Sequence, residues 1–175
     1  DGYHPNFAHQ AFFHVVQQRT GMKIDLFEGS SAGQARDLGR GHSMLDFRAY
    51  NLASPDTRKR LELLKLAPWG KSYWETMVAR HGERRAEDVI RIGGTHMHVF
   101  PNLVVLQNQI RTIRPVNVDR TEVYLNPVLL AGAPDELNAM RLRMHESLYG
   151  PAGGGVPDDI EMYKRVRAGL VSTAA

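Results

Sequence analysis

The chain opens on Asp1-Gly2-Tyr3-His4-Pro5-Asn6-Phe7-Ala8-His9, setting an acid, a histidine and a second histidine five positions later in one short segment. Two imidazoles and a carboxylate on one face of an octahedron leave three positions open, the ligand set that suits non-haem Fe(II) and oxygen chemistry. A spacing of five does not suit a regular helix. At about 100° per residue the rings point about 140° apart, so convergence on one ion requires His4 outside the helix or a widened turn. Pro5, at home in a first helical turn, favours the former. Taken alone, the pair also fits two helix-end histidines that pack or meet solvent. A carboxylate for such a site stands far downstream, where the glycine-rich bend from Gly150 to Gly155 leads to Asp158-Asp159 at the start of a helix. Asp159 falls on the side of Ile160, Tyr163, Val166 and Leu170, read as the inner face, whereas Asp158 fits a first-turn role against the helix dipole.

The elements that must position these groups come in blocks. Ala8, Ala11, Phe12, Val15 and Val16 recur at helical spacing until Gly21 stops the run. Residues 22–50 read as two or three strands, with alternation over 23–27 and again over 43–50. Ser54-Pro55-Asp56 supplies a cap, a first-turn proline and a first-turn acid for a helical middle third that breaks near Pro68. Residues 95–130 are rich in β-branched side chains, with turns at Pro101-Asn102, Pro115 and Pro127, and predict a meander of three or four antiparallel strands. Pro134-Asp135-Glu136 opens a helix whose stripe is Leu137, Met140, Met144 and Leu148, and a last helix covers residues 158–171. Blocks of strands and helices predict an α+β fold, an antiparallel sheet with helices on one face, over a doubly wound parallel sheet.

At 175 residues, 42% hydrophobic and 23% charged, the chain is long enough for one cored domain and too apolar for a disordered tail. It has no cysteine, which excludes disulfides, thiolate-held clusters and thiol nucleophiles within the chain. The formal charge is +3, but acids and bases interleave, as in Gly82-Glu83-Arg84-Arg85-Ala86-Glu87-Asp88, so no nucleic-acid track is expected. The longest apolar run, Val128-Leu129-Leu130-Ala131, is far short of the roughly 18 to 20 residues of a membrane span, so a soluble, cytoplasmic protein is expected. Chemistry within a few residues of Asp1 suggests a piece of a longer polypeptide.

Four separated motifs, in order and at matching spacing, carry a resemblance. The opening resembles a D-x-Y-H-x4-H signature, and Thr95-His96-Met97-His98-Val99-Phe100-Pro101-Asn102 resembles a strand ending in F-P-N. Thr121-Glu122-Val123 resembles a T-E-V strand, and Gly150-Pro151-Ala152-Gly153 to Asp158-Asp159 a G-P-A-G segment leading to an iron ligand. Together they resemble the catalytic domain of the α (large) subunit of Rieske-type aromatic-ring-hydroxylating oxygenases. The resemblance runs from Asp1 to about Leu170, weakest over residues 29–91, and makes residues 1–175 one partial catalytic domain. It implies a helix-grip fold, an antiparallel sheet wrapped around a long helix.

Carried over residue by residue, the resemblance makes His4, His9 and Asp159 the facial triad for mononuclear Fe(II), and Asp1 the acid that bridges to a Rieske cluster on a neighbouring subunit. Phe13, Leu106 and Tyr149 resemble pocket-lining positions, with Gly2, Pro5, His96, Gln109 and Gly155 as further candidates. Each also fits plain core or turn. His96 and His98, two apart on a strand, share one face. Gly155 stands where many relatives carry a bulkier side chain, which implies a roomier pocket. The implied activity is cis-dihydroxylation of an arene with O2, using electrons from NADH delivered by a reductase, often through a ferredoxin, and by the [2Fe-2S] Rieske cluster. That cluster needs C-x-H motifs absent from this chain, so the chain alone is expected to be inactive. The implied assembly is a trimer of α subunits, with or without β. Arg91 and Arg111 are candidates for pairing a carboxylated arene or for lying on the surface. Two further readings stand beside the enzyme: a metal-free helix-grip protein that binds an apolar ligand, and a hydrolytic zinc enzyme, for which no motif marks a general base.

Overall fold

The computed structural model of the chain describes residues 4–20, 33–93 and 96–172. Asp1, Gly2, Thr95 and the strand expected over 23–27 lie outside the described residues. The chain divides into two compact units, Ala32–Leu142 and the pair of segments Asp1–Ser31 with Arg143–Ala175.

The first of these units holds one six-stranded antiparallel sheet with its strands in sequence order. The strands are β1 (Gln34–Gly39), β2 (His42–Asp46), β3 (His96–Val99), β4 (Leu103–Leu106), β5 (Gln109–Asn117) and β6 (Arg120–Pro127). The meander expected over residues 95–130 is present, and β1 and β2 extend it at one edge. Side chains close its turns: the Asp119 N–H donates to Asn117 Oδ1 at 2.9 Å between β5 and β6, an Asx turn. Register matters more than length here. His96 pairs with Leu106 and Leu106 with Gln109, so these three occupy one cross-strand row and one face. His98, Val104 and Arg111 form the next row on that face.

After α1 (His4–Ala8) and α2 (Gln10–Thr20), the chain makes four helices between β2 and β3, α3 (Arg48–Ala53), α4 (Pro55–Leu66), α5 (Gly70–His81) and α6 (Glu83–Ile92). The break expected near Pro68 falls between α4 and α5. Leu61 and Ala86 form the cluster's apolar centre, and Thr57 and Arg91 are buried with them. Arg91 Nη1 donates to Glu87 Oε1 at 2.7 Å, and Nη2 donates to the Leu52 carbonyl. Thr57 Oγ1 donates to the Asn51 carbonyl, and Asn51 Nδ2 to the Ile92 carbonyl at 2.7 Å. Arg91 therefore neither reaches for a ligand nor lies on the surface; it ties α3 to α6.

Three readings need correction. Residues 48–50 do not extend β2: the Arg48 N–H donates to Asp46 Oδ1 at 3.0 Å, turning the chain into α3. Ser54 precedes α4 as expected but makes no side-chain cap; its carbonyl accepts Thr57 Oγ1 at 2.9 Å. In α7 (Asp135–Tyr149) the stripe is rotated, with Met140 and Met144 exposed and His145 buried. Polar tethers set that rotation. Asn138 bonds both the N–H and the carbonyl of Leu130, Arg141 donates to the Val128 carbonyl, and Asn108 donates to the carbonyl of Arg141.

Asp46 is the most heavily paired acid of the sheet unit. Arg48 bonds both its oxygens, at 2.8 and 2.6 Å, and Arg36 Nε adds a third side-chain contact at 2.8 Å. Arg48 first, with Arg36 assisting, holds the Asp46 carboxyl well below the usual carboxylate range. The stability it contributes is present above its unfolded value of 3.8 and is lost as pH falls through the depressed folded one. Asp46→Asn is expected to cost about 1.5 to 3 kcal/mol in urea unfolding near neutral pH, with the difference shrinking in acid.

Candidate metal centre

The second unit builds the site from α1 (His4–Ala8), α2 (Gln10–Thr20), the end of α7, a glycine turn and α8 (Val156–Val171). The single helix expected from Pro5 onward is broken: His4 begins α1, and His9 sits in neither helix. That break at His9 removes the 140° conflict of an H-x4-H pair on one helix. The two rings stand nearly perpendicular, 86° apart with centroids 4.7 Å from one another.

The third group arrives by a tight reversal. After α7 the N–H groups of Gly154 and Gly155 donate to the Ser147 and Leu148 carbonyls, each at 2.9 Å, satisfying the end of the helix. A Cβ on Gly154 would lie 2.2 Å from Cδ2 of Phe12, and one on Gly155 2.8 Å from the Leu148 oxygen. Glycine at 155 is thus required by close backbone approach, a nearer cause than pocket room. The Gly155 carbonyl accepts the Asp159 N–H at 3.0 Å, and α8 starts with both acids in its first turn.

Asp159 points at the histidines. Its Oδ1 lies 2.8 Å from His4 Nε2 and 3.3 Å from His9 Nε2, and the two nitrogens are 3.0 Å apart. Three ligands at about 2.1 Å on one octahedral face would be about 3.0 Å apart, so the triangle has the size such an ion needs. Asp159 Oδ1 is buried and, among the described residues, makes no hydrogen bond, while the two Nε2 atoms stand within hydrogen-bond distance of one another. The residues present fit a divalent cation of the Fe(II) class. His4, His9 and Asp159 together are a group that could hold a metal ion. Asp158 is set apart from them: its Oδ2 lies 3.5 Å from the other ring nitrogen of His9, Nδ1.

The adjoining Asp159 carboxylate raises the His9 imidazole above its usual range, with burial opposing. Burial alone would push Asp159 up, but His9 and His4 outweigh it and hold the carboxyl below the usual range. Asp159 is therefore anionic near neutral pH.

The expected inner face of α8 is only half right. Asp159 is largely buried, yet Ile160, Tyr163, Val166 and Leu170 are exposed, Leu170 at 81%. Length explains it: α1 packs against α8, but its five residues span about 7 Å and the sixteen of α8 about 24 Å, so cover ends near the first turn.

The remaining candidates divide between the units. Phe13 is half-buried and stacks edge-on with Phe12, and Tyr149 tilts against the buried His145. Pro5 lies in α1. In the sheet unit Leu106 and Gln109 are buried and His96 meets Phe47 edge-on at 5.7 Å. Burial, with the Arg111 charge, holds the His96 imidazole below its usual range and so neutral near pH 7. Asp1 and Gly2 lie outside the described residues. The pairing of Arg111 with Gln109 was not legible beforehand, though their i, i+2 spacing on a strand was a signal for it.

No family model matches the chain. It is 28% identical over 99% of its length to the 2-halobenzoate 1,2-dioxygenase large subunit of Burkholderia cepacia, and 27% identical over 97% to the anthranilate 1,2-dioxygenase large subunit of Acinetobacter baylyi. The chain spans 37% of the length of each. Its fold is similar to that of a solved naphthalene 1,2-dioxygenase with indole bound in the active site, at a TM-score of 0.61 and 21% identity, covering 99% of this chain and 38% of that one. The α+β class with its antiparallel sheet is as expected. The chain resembles, over nearly its whole length, the catalytic region of the large subunit of the Rieske-type aromatic-ring-hydroxylating dioxygenases.

Proposed function

We propose that residues 1–175 are part of the catalytic domain of a terminal oxygenase that cis-dihydroxylates an aromatic ring, with His4, His9 and Asp159 holding mononuclear iron. The observation that carries this is the triangle of two imidazole nitrogens and one carboxylate oxygen, in a chain similar end to end to dioxygenase large subunits. Iron bound there supplies the redox chemistry that joins O2 to an arene. The chain's own residues would supply it with two neutral donors, His4 and His9, and one anion, Asp159. Electrons come from NADH through a reductase, with or without a ferredoxin, and a Rieske cluster outside this chain, Asp1 being the bridge between neighbouring subunits. The assembly is a trimer of large subunits in the cytoplasm, and this chain alone is inactive. Among the described residues no helix is long and apolar enough to cross a membrane.

The substrate class is a carboxylated arene. Two relatives are named for benzoates, and the sheet offers the groups a carboxylate requires. Arg111 Nε donates to Gln109 Oε1 at 3.2 Å, which fixes the orientation of the amide because a guanidinium only donates. Gln109 Nε2 is left buried and, among the described residues, without a partner, a donor that an oxyanion would satisfy. A fluorine-NMR titration tests this. The chain is expected to bind 2-fluorobenzoate more tightly than fluorobenzene, and Arg111→Gln to weaken only the former, by about 10- to 100-fold. Equal affinity for the two ligands in the unaltered chain would contradict the substrate class.

A further inference from the structure

We propose that Asp158 is a positioning residue for His9, holding its ring so that Nε2, rather than Nδ1, faces the metal; this rests on the metal reading above. Asp158 and Asp159 are consecutive in the first turn of α8, so their side chains leave the helix about 100° apart. They bracket one imidazole from two sides: Asp159 Oδ1 lies 3.3 Å from His9 Nε2, and Asp158 Oδ2 lies 3.5 Å from His9 Nδ1.

The chemistry of a neutral imidazole gives that arrangement its meaning. For Nε2 to present a lone pair, the single ring proton must sit on Nδ1. Among the described residues the buried His9 Nδ1 makes no hydrogen bond, a costly state for an N–H. Asp158 is an acceptor within reach, and with 46% of its side chain exposed it is free to close the last half ångström. A carboxylate on the far nitrogen selects the tautomer, fixes the ring plane and strengthens the donor. The paired acids therefore have different tasks, Asp159 as ligand and Asp158 behind a ligand. An acid that only opposed the helix dipole would act on helix stability and leave the ring untouched.

Anaerobic Co(II) titration of the 175-residue chain, read by the visible cobalt bands, separates these. The unaltered chain is expected to bind Co(II). Asp158→Ala is expected to weaken binding about 10- to 100-fold and to shift the bands. Asp158→Asn, whose amide oxygen still accepts from Nδ1, is expected to recover part of the affinity and the original spectrum. Glu161→Ala removes an exposed acid paired with Arg165 on the same helix, and is expected to change neither. Wild-type affinity and spectrum in Asp158→Ala, or an equal loss in Glu161→Ala, would overturn the proposal while leaving the metal reading intact. Failure of the unaltered chain to take up cobalt would overturn the metal reading and this inference with it.

Discussion

Asp159→Ala is expected to lower Fe(II) affinity by about 100-fold or more while the chain still folds. Four-ligand structural sites bind zinc with roughly 10 to 16 kcal/mol, about 3 kcal/mol for each protein ligand, and that amount corresponds to about two orders of magnitude in affinity. Asp159 is also the sole anion of the triangle, so its loss leaves two neutral imidazoles facing a divalent ion. His9→Ala is expected to act similarly, because its Nε2 is one corner of the same triangle. Neither change removes a large apolar side chain, so urea unfolding of the metal-free variants is expected to move by only about 1 kcal/mol or so. Unchanged affinity in either variant, measured by equilibrium titration, would remove that residue from the site.

A second large effect is expected from a residue that touches no metal. Gly155→Ala would place a methyl group 2.8 Å from the Leu148 oxygen and 2.9 Å from Leu148 Cδ1, the first of these a backbone atom with little room to yield. The turn must then open, and since the Gly155 carbonyl holds the Asp159 N–H, the carboxylate moves with it. A cost of about 1 to 3 kcal/mol in unfolding and a weakening of metal binding by about tenfold or more are expected. Gly169→Ala is the control on the same helix, where an added Cβ meets nothing within 4 Å. It is expected to leave metal binding alone and to stabilise the helix by up to about 1 kcal/mol. Identical behaviour of the two variants would show that the turn does not position Asp159.

Much of the fold was legible because its signals are local in type. Pro5 and the 134–136 segment marked helix starts, and the alternation over residues 95–130 marked the meander. What was not legible depends on contacts distant in sequence. Nothing near His9 announces that the helix breaks there. The membership of β1 and β2 in the same sheet as β3 is settled by pairs such as Leu45 with His96, across an insertion of four helices. Arg91, which looked like a surface or ligand-binding cation, is buried because Leu52, Thr57 and Glu87 meet it from three helices. The α8 stripe misled for a related reason: periodicity marks an apolar side, and only the short reach of α1 decides how much of that side is covered.

The central claim is that His4, His9 and Asp159 form a working iron site. Its most direct test is anaerobic Fe(II) binding to the 175-residue chain, read through the EPR signal of the nitric oxide adduct alongside His9→Ala and Asp159→Ala. One iron per chain with a strong adduct signal, lost in both variants, is the result predicted. Iron-free protein that is demonstrably folded, or a signal that survives both substitutions, would contradict it and favour a metal-free protein that binds an apolar ligand in the same fold.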